Sequence, residues 1–117
     1  MQAVNISGLL KDLPDLDFRE IGKFDNGSVG VFTTGPGESP WERHPDNDEL
    51  LYVLSGEVVI TLLTEGRPMA VTVSQGAMLI VPRGLWHKHT IERELTELYV
   101  TPGETEHSSA EDPRREE

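Results

Sequence analysis

Short apolar runs separated by turn-forming residues recur along most of this sequence, and their spacing is what most restricts its fold. Eight runs of β-type composition are predicted to be strands: residues 17–21, 28–33, 49–54, 57–64, 69–74, 77–81, 85–91 and 95–101. Between them lie glycine, proline, asparagine and aspartate, as in Asp25-Asn26-Gly27, which favour tight turns. Eight short strands at this spacing indicate an antiparallel sandwich or barrel.

The length and the two chain ends predict a single domain with short appendages. At 117 residues there is room for one core of ordinary size. We expect an N-terminal extension and first strand over 1–27, with a helical turn near 7–14, and a barrel over 28–102. Residues 103–117 hold no large apolar residue and carry six acids and two arginines, so we predict a mobile acidic tail.

The charge and the absence of cysteine exclude several classes of protein. A net charge of −11 argues against binding to nucleic acid or to an anionic membrane surface. No apolar run is long enough to span a membrane, and the first residues lack the pattern of a secretory signal, so we expect a cytoplasmic protein. Without cysteine, any metal ion must be bound by imidazole and carboxylate groups.

A first group of polar residues with metal-binding chemistry lies in the segment 41–49. Side chains two residues apart in a strand share a face, so Glu42 can lie beside His44. In the following strand, Glu49 shares a face with Leu51, which is expected in the core. The segment can therefore direct an imidazole and two carboxylates toward the interior.

A second group lies in the segment 76–89, where His87 and His89 share a strand face. If both groups line the barrel interior, imidazoles and carboxylates converge among apolar side chains. Such groups are costly to bury unless they bind a cation or find other hydrogen-bond partners. Imidazole nitrogen and carboxylate oxygen together suit divalent transition metals.

The spacing of these residues resembles the two motifs of the cupin superfamily, G-x5-H-x-H-x3,4-E-x6-G and G-x5-P-x-G-x2-H-x3-N. Seven residues match at the expected spacing: His44, Glu49, Gly56, Gly76, Pro82, Gly84 and His87. Three positions depart from the motifs, with Pro36 at the opening glycine, Glu42 at the first histidine and Ile91 at the closing asparagine. The resemblance covers residues 28–101 and implies an all-β jelly-roll barrel.

The resemblance also implies a metal site. His44, Glu49 and His87 take ligand positions, and Glu42 stands where a fourth ligand would be. Glu42 can bind the ion through oxygen, or it can turn outward and pair with an arginine, leaving three ligands. The expected cofactor is one divalent transition metal ion (Fe, Mn, Zn or Ni). No residue is assigned a catalytic role.

The function implied by the resemblance is a metal-dependent enzyme, similar to a dioxygenase or isomerase, acting on a small organic molecule inside the barrel. Two alternatives remain: a non-catalytic module that binds or senses a small molecule, and a metal-free structural homologue. Tyr52 and His89 are predicted to contact the substrate, although Tyr52 could also pack in the core and His89 could lie at the surface. The resemblance further implies a homodimer.

Overall fold

The computed structural model describes residues 2–11 and 17–116, which form one short helix, ten strands and a terminal 3-10 helix. The helix α1 spans Ile6–Leu10, and Asn5 caps it by accepting a hydrogen bond from the Gly8 amide. The strands are β1 (Asp17–Phe24), β2 (Gly27–Thr34), β3 (Gly37–Glu38), β4 (Trp41–Arg43), β5 (Glu49–Leu63), β6 (Pro68–Ser74), β7 (Met78–Val81), β8 (His87–Ile91), β9 (Leu95–Pro102) and β10 (Glu106–Ser108). The 3-10 helix is Pro113–Glu116.

The strands form one curled antiparallel sheet with two halves that face each other. One half has the order β1-β2-β9-β5-β7, and the other has the order β6-β5-β8-β4-β10, with β3 added to β8. Among the ten strands of the described chain, β5 alone belongs to both halves. This arrangement confirms the predicted all-β jelly-roll fold.

A sharp bend lets β5 pass from one half to the other. The runs 49–54 and 57–64, predicted as separate strands, are continuous in the structure through Gly56. The pairing register shifts between Val53 and Ser55, and Gly56 has a φ of 84°. A β-carbon at this position would overlap the carbonyl oxygen of Glu94. Glycine is therefore required for the backbone to turn here.

The apolar core lies between the two half-sheets and is formed by alternating residues of the central strands. Leu51, Val53 and Ile60 of β5 are at most 2% exposed. A second, smaller cluster joins Trp41 and Trp86 with Leu63. Trp86 immediately precedes β8, and its ring belongs to this smaller cluster rather than to the main core.

The described part of 103–117, where we predicted a mobile tail, carries regular structure. Glu106–Ser108 form β10, which pairs with β4, and the buried Pro113 opens the 3-10 helix. The Arg114 guanidinium donates to the carbonyl oxygens of Thr64 at 2.6 Å and Gly66 at 3.2 Å. Composition could not indicate this order, because it comes from backbone pairing and from an arginine bound to carbonyls rather than from burial of large apolar side chains.

Other departures from the predicted elements are small. The strands β3, β4 and β10 contain two or three residues each, too few to show an alternating pattern. The helical turn predicted over 7–14 overlaps α1, and residues 12–14 lie outside the described chain. Within 2–11 and 17–116, no helix has the length and apolar character needed to cross a membrane.

Candidate metal centre

Four side chains converge in one cluster, and they are the four predicted metal ligands. Glu42 lies in β4, His44 follows that strand, and Glu49 and His87 are the first residues of β5 and β8. Glu42 and His87 are directly paired across β4 and β8, which places their side chains on the same face. Each residue offers a ligand atom, and these four atoms all lie within 4.8 Å of one another.

Two hydrogen bonds hold together the chain segments that carry these side chains. The Gly84 amide donates to the carbonyl of His44 at 2.8 Å, and the Arg83 amide donates to the Asp48 carboxylate at 2.9 Å. The turn before β8 is thereby fixed against the loop before β5. This contact explains why two motifs that are distant in sequence form one site.

The distances within the cluster are those of closely packed imidazoles and carboxylates. The His87 Nε2 atom lies 3.1 Å from Glu49 Oε1 and 3.2 Å from Glu42 Oε1. The His44 Nε2 atom lies 3.2 Å from Glu49 Oε1 and 3.8 Å from Glu42 Oε1. Among the described residues, this buried His44 atom makes no hydrogen bond.

Hydrogen bonds on the far side of each ring direct the Nε2 atoms toward the cluster. Nδ1 of His87 donates to the carbonyl of Leu85 at 3.2 Å. Nδ1 of His44 donates to the carbonyl of Glu104 at 3.3 Å and also lies 3.1 Å from the Thr105 hydroxyl. Because a carbonyl can only accept, Nδ1 carries the proton in each neutral ring, and Nε2 is left as the lone-pair donor.

Further contacts that sequence reasoning missed come from β9 and the C-terminal segment. The Thr101 hydroxyl donates to Glu49 Oε2, which fixes the second oxygen of that carboxylate. His107 of β10 is 60% exposed, and its Nε2 atom lies 3.7 Å from Glu42 Oε2. No sequence motif signals the contact of Thr101 with Glu49 or that of Thr105 with His44, because each contact joins residues that are distant in the sequence.

The close contacts shift the pKa of each group in a direction that favours the charged form. Burial lowers the pKa of both histidines, but the neighbouring Glu42 and Glu49 carboxylates outweigh it and raise the pKa of His44 to about 10 and that of His87 to about 9. Burial alone would raise the pKa of Glu42 and Glu49, yet contact with the two imidazoles lowers it in both. Without a metal ion, the cluster therefore holds two imidazolium rings between two carboxylates.

This donor set fits a divalent transition metal ion. Two imidazole nitrogens and two carboxylate oxygens match the ligands that Zn, Fe, Mn and Ni accept, and the carboxylates would offset both charges of the ion. The buried Nε2 atom of His44 makes no well-aligned hydrogen bond in the described chain and lies 3.2 Å from Glu49 Oε1, so once deprotonated it could bind the ion together with that carboxylate.

The cluster opens into a cavity of about 620 Å³ between the half-sheets. Glu42, His44 and Glu49 form one part of its wall, and Phe18, Phe32 and Tyr99 form another. The volume lies within the range usual for small-molecule sites. A small ligand in the cavity can therefore reach the cluster.

His89, predicted to contact the substrate, lines this cavity, but it does not join the four-residue cluster. Its Nε2 donates to both carboxylate oxygens of Glu97, at 2.9 and 3.1 Å, and both residues are buried. Burial lowers the pKa of His89, but Glu97 outweighs this and raises it. Burial is also the main cause that raises the pKa of Glu97. Sequence reasoning missed Glu97, although its place between Leu95 and Tyr99 on one face of β9 was a signal.

Tyr52, the other predicted substrate contact, does not line the cavity. It lies between the buried Leu51 and Val53, and side chains alternate along the strand, so it faces the outer side of the half-sheet. Its neighbours across the sheet are Met78 and Leu98. The prediction for Tyr52 is therefore corrected, and Tyr99 is the tyrosine at the cavity.

Comparison with known proteins gives several relatives that are similar in sequence to part of this chain. Over 76 residues the chain is 33% identical to the uncharacterized protein SCO3923 of Streptomyces coelicolor, covering 64% of this chain and 69% of that protein. Over 60 residues it is 40% identical to the uncharacterized protein YdbB of Bacillus subtilis, covering 48% of YdbB. Cupincin of Oryza sativa subsp. indica is 39% identical over 56 residues, and only 12% of its length is spanned.

Solved structures show the same fold at low sequence identity. A cupin-2 domain protein of Shewanella frigidimarina superimposes with a TM-score of 0.70 at 21% identity, covering 86% of this chain and 94% of that one. The hydroquinone 1,2-dioxygenase PnpCD superimposes with a TM-score of 0.68 at 21% identity, covering 86% of this chain and 72% of that one. An oxalate oxidase superimposes with a TM-score of 0.65 at 20% identity, covering 78% of this chain and 54% of that one. The sequence profile of the cupin domain matches residues 30–102, and the chain therefore belongs to the cupin domain family.

Proposed function

We propose that the protein binds one divalent transition metal ion through Glu42, His44, Glu49 and His87 and acts on a small organic molecule in the adjoining cavity. The observation that carries this proposal is the convergence of four ligand atoms, one from each of these side chains, within 4.8 Å of one another. Among them, the Nε2 atom of His44 is buried and lies 3.2 Å from Glu49 Oε1. Two buried or partly buried carboxylates beside two imidazoles are the donor set of a divalent cation, which would balance both carboxylate charges.

The surrounding residues prepare the site for such an ion. The hydrogen bonds of His44 and His87 through Nδ1 fix both rings with Nε2 toward the cluster, and Thr101 holds the Glu49 carboxylate. A bound ion would supply a Lewis acid that polarises an oxygen atom of the ligand. Apolar residues of the cavity wall, such as Leu51, limit the access of water and strengthen electrostatic interactions there.

Two structural neighbours support a reaction on a small oxygenated compound. PnpCD is a hydroquinone 1,2-dioxygenase solved with Cd²⁺ and 4-hydroxybenzonitrile, and the oxalate oxidase was solved with the substrate analogue glycolate. At 21% and 20% identity the likeness is one of fold. The proposed dioxygenase-like or isomerase-like chemistry therefore depends on this chain's own four-residue cluster and cavity.

Elemental analysis of the protein purified without chelators tests the metal site. We expect about one ion per chain in the wild type and a large loss in His87→Ala, because that substitution removes a buried ligand. Lys88→Ala is the matched control, since Lys88 is the next residue of β8 and lies outside the four-residue cluster, and it should keep the ion. A metal content far below one ion per chain after saturation with Zn, Fe, Mn and Ni would contradict the proposal.

A second experiment separates an enzyme from a binding or sensing module. The metal-loaded protein is incubated with small hydroxy- and carboxy-substituted compounds, with and without oxygen, and both binding and product formation are followed. Turnover that disappears in His87→Ala supports the enzyme. Binding that depends on the metal but gives no product would assign the chain to the non-catalytic class.

We also propose a homodimer formed through the outer face of the half-sheet that contains β7. Met78 and Ile80 are 56% and 43% exposed, and Met78 lies beside Tyr52. A second copy could cover this apolar face. Light scattering should give twice the chain mass, and Met78→Lys should shift it toward the monomer. A monomer mass for the wild type at high concentration would refute the dimer.

A further inference from the structure

Three aromatic side chains form a continuous wall of the cavity, which we call the aromatic wall: Phe18 of β1, Phe32 of β2 and Tyr99 of β9. The ring centres of Phe18 and Phe32 are 4.8 Å apart, and those of Phe18 and Tyr99 are 6.1 Å apart. Phe32 and Tyr99 are separated by 6.3 Å. All three side chains line the same cavity as the metal centre.

A glycine in β2 allows the Tyr99 ring of the aromatic wall to lie close to the backbone. Gly30 is paired with Tyr99, and a β-carbon on Gly30 would overlap the end of the tyrosine ring. The ring therefore lies across the strand, in space that any other residue would occupy. Glycine weakens the interior of a strand, so its place here is explained by the close approach of the tyrosine.

The exposure of the wall shows that it is not simply part of the core. Phe18 is 61% exposed although its ring packs against Phe32. The wall continues to the buried His89, whose ring centre is 6.1 Å from that of Phe32 at an interplanar angle of 64°. An aromatic surface that is open to a cavity offers a planar ligand stacked or edge-to-face contacts, which a saturated ring cannot make as well.

The candidate metal centre, unlike the apolar aromatic wall, would determine which polar group such a ligand carries. A cation held by Glu42, His44, Glu49 and His87 attracts anionic or hydroxyl oxygen. We propose that the aromatic wall is the ring-binding half of the ligand site and that the ligand is a monocyclic aromatic carboxylate or phenol. Its oxygen faces the metal centre and its ring lies against Phe18, Phe32 and Tyr99. This inference rests on the metal centre of the proposed function.

Calorimetry with benzoate and cyclohexanecarboxylate tests the wall, because the two probes share a carboxylate and differ in the planarity of the ring. With the metal-loaded protein, we expect tighter binding of benzoate. Phe18→Leu should weaken benzoate binding by about 3- to 10-fold and leave cyclohexanecarboxylate nearly unchanged. Phe24→Leu is the matched control, because Phe24 lies on the same strand, is 62% exposed and does not line the cavity.

The same comparison with phenol and cyclohexanol on the metal-free protein isolates the wall from the metal. A preference for phenol that depends on Phe18 supports the wall even if the metal content contradicts the proposed function. Equal binding of both probes, no binding of any probe, or equal losses in Phe18→Leu and Phe24→Leu would overturn the inference. If one of those results were found together with about one metal ion per chain, the inference about the aromatic wall would fail and the proposed metal site would be supported.

Discussion

The hydroxyl of Thr105 lies 3.1 Å from Nδ1 of His44, and this contact links the C-terminal segment to the candidate metal centre. The cupin profile ends at residue 102, so Thr105 lies outside the part of the chain that the family match covers. The adjacent carbonyl of Glu104 accepts from the same nitrogen at 3.3 Å. A segment beyond the family match therefore orients a candidate ligand.

Replacing this hydroxyl should weaken metal binding without removing it. Thr105→Val keeps the shape of the side chain but loses the polar contact, and we expect metal affinity to fall by about 10-fold, as for other partners of ligating histidines. Competition with a chromophoric chelator measures the change. Thr72→Val makes the same substitution at an exposed position on β6 and should bind as the wild type does. Equal affinity in Thr105→Val and Thr72→Val would show that the contact does not position His44.

Metal affinity should rise with pH through neutrality. In the metal-free protein, the Glu42 and Glu49 carboxylates, acting against burial, raise the pKa of His44 to about 10 and that of His87 to about 9, so both rings are protonated at pH 7. An ion must displace both Nε2 protons, and the affinity should therefore increase by up to about 100-fold per pH unit while both rings are charged. Titration calorimetry in buffers of different ionisation enthalpy should show close to two protons released. Release of none at pH 7 would contradict the pKa direction.

Local sequence patterns predict much of the fold and the centre of the site. Strand alternation and turn residues locate most strands. The motif spacing singles out His44, which follows β4, and Glu49 and His87, which begin β5 and β8. The alternation along β5 could also have predicted that Tyr52 faces away from the cavity, since its neighbours Leu51 and Val53 face the core.

The features that could not be predicted depend on contacts between distant parts of the chain. The pairing of His89 with Glu97 requires β8 and β9 to bring both side chains inside the barrel. The order of the C-terminal segment requires β4 to present a free edge to β10 and Thr64 to present its carbonyl to Arg114. Strand alternation could indicate that Glu97 faces the interior, but hydropathy and charge do not identify which residue on another strand it pairs with.

The bend in β5 should depend on glycine at residue 56. Gly56 has a φ of 84°, and a β-carbon there would overlap the Glu94 carbonyl oxygen, so Gly56→Ala should lower the free energy of unfolding by about 3 kcal/mol. Urea denaturation measures the loss. Gly66→Ala is the control: no atom lies within 4 Å of its new methyl group, and the change should stay within about 0.5 kcal/mol. Equal stability of the two variants would mean that the backbone at Gly56 is not constrained.

The buried pair of His89 and Glu97 should behave as one unit in stability. Glu97→Met alone leaves the His89 ring without its 2.9 Å partner inside the barrel, and we expect a loss of about 3 kcal/mol. His89→Phe alone leaves a buried carboxyl unsatisfied and should cost about as much. The double variant replaces both polar groups with apolar ones, so its loss should be much smaller than the sum of the two single losses. Urea denaturation of all four proteins gives the coupling free energy, and strictly additive losses would show that the pair is not coupled. Because the pair lies outside the four-residue cluster, the double variant should still bind about one metal ion per chain, which elemental analysis checks.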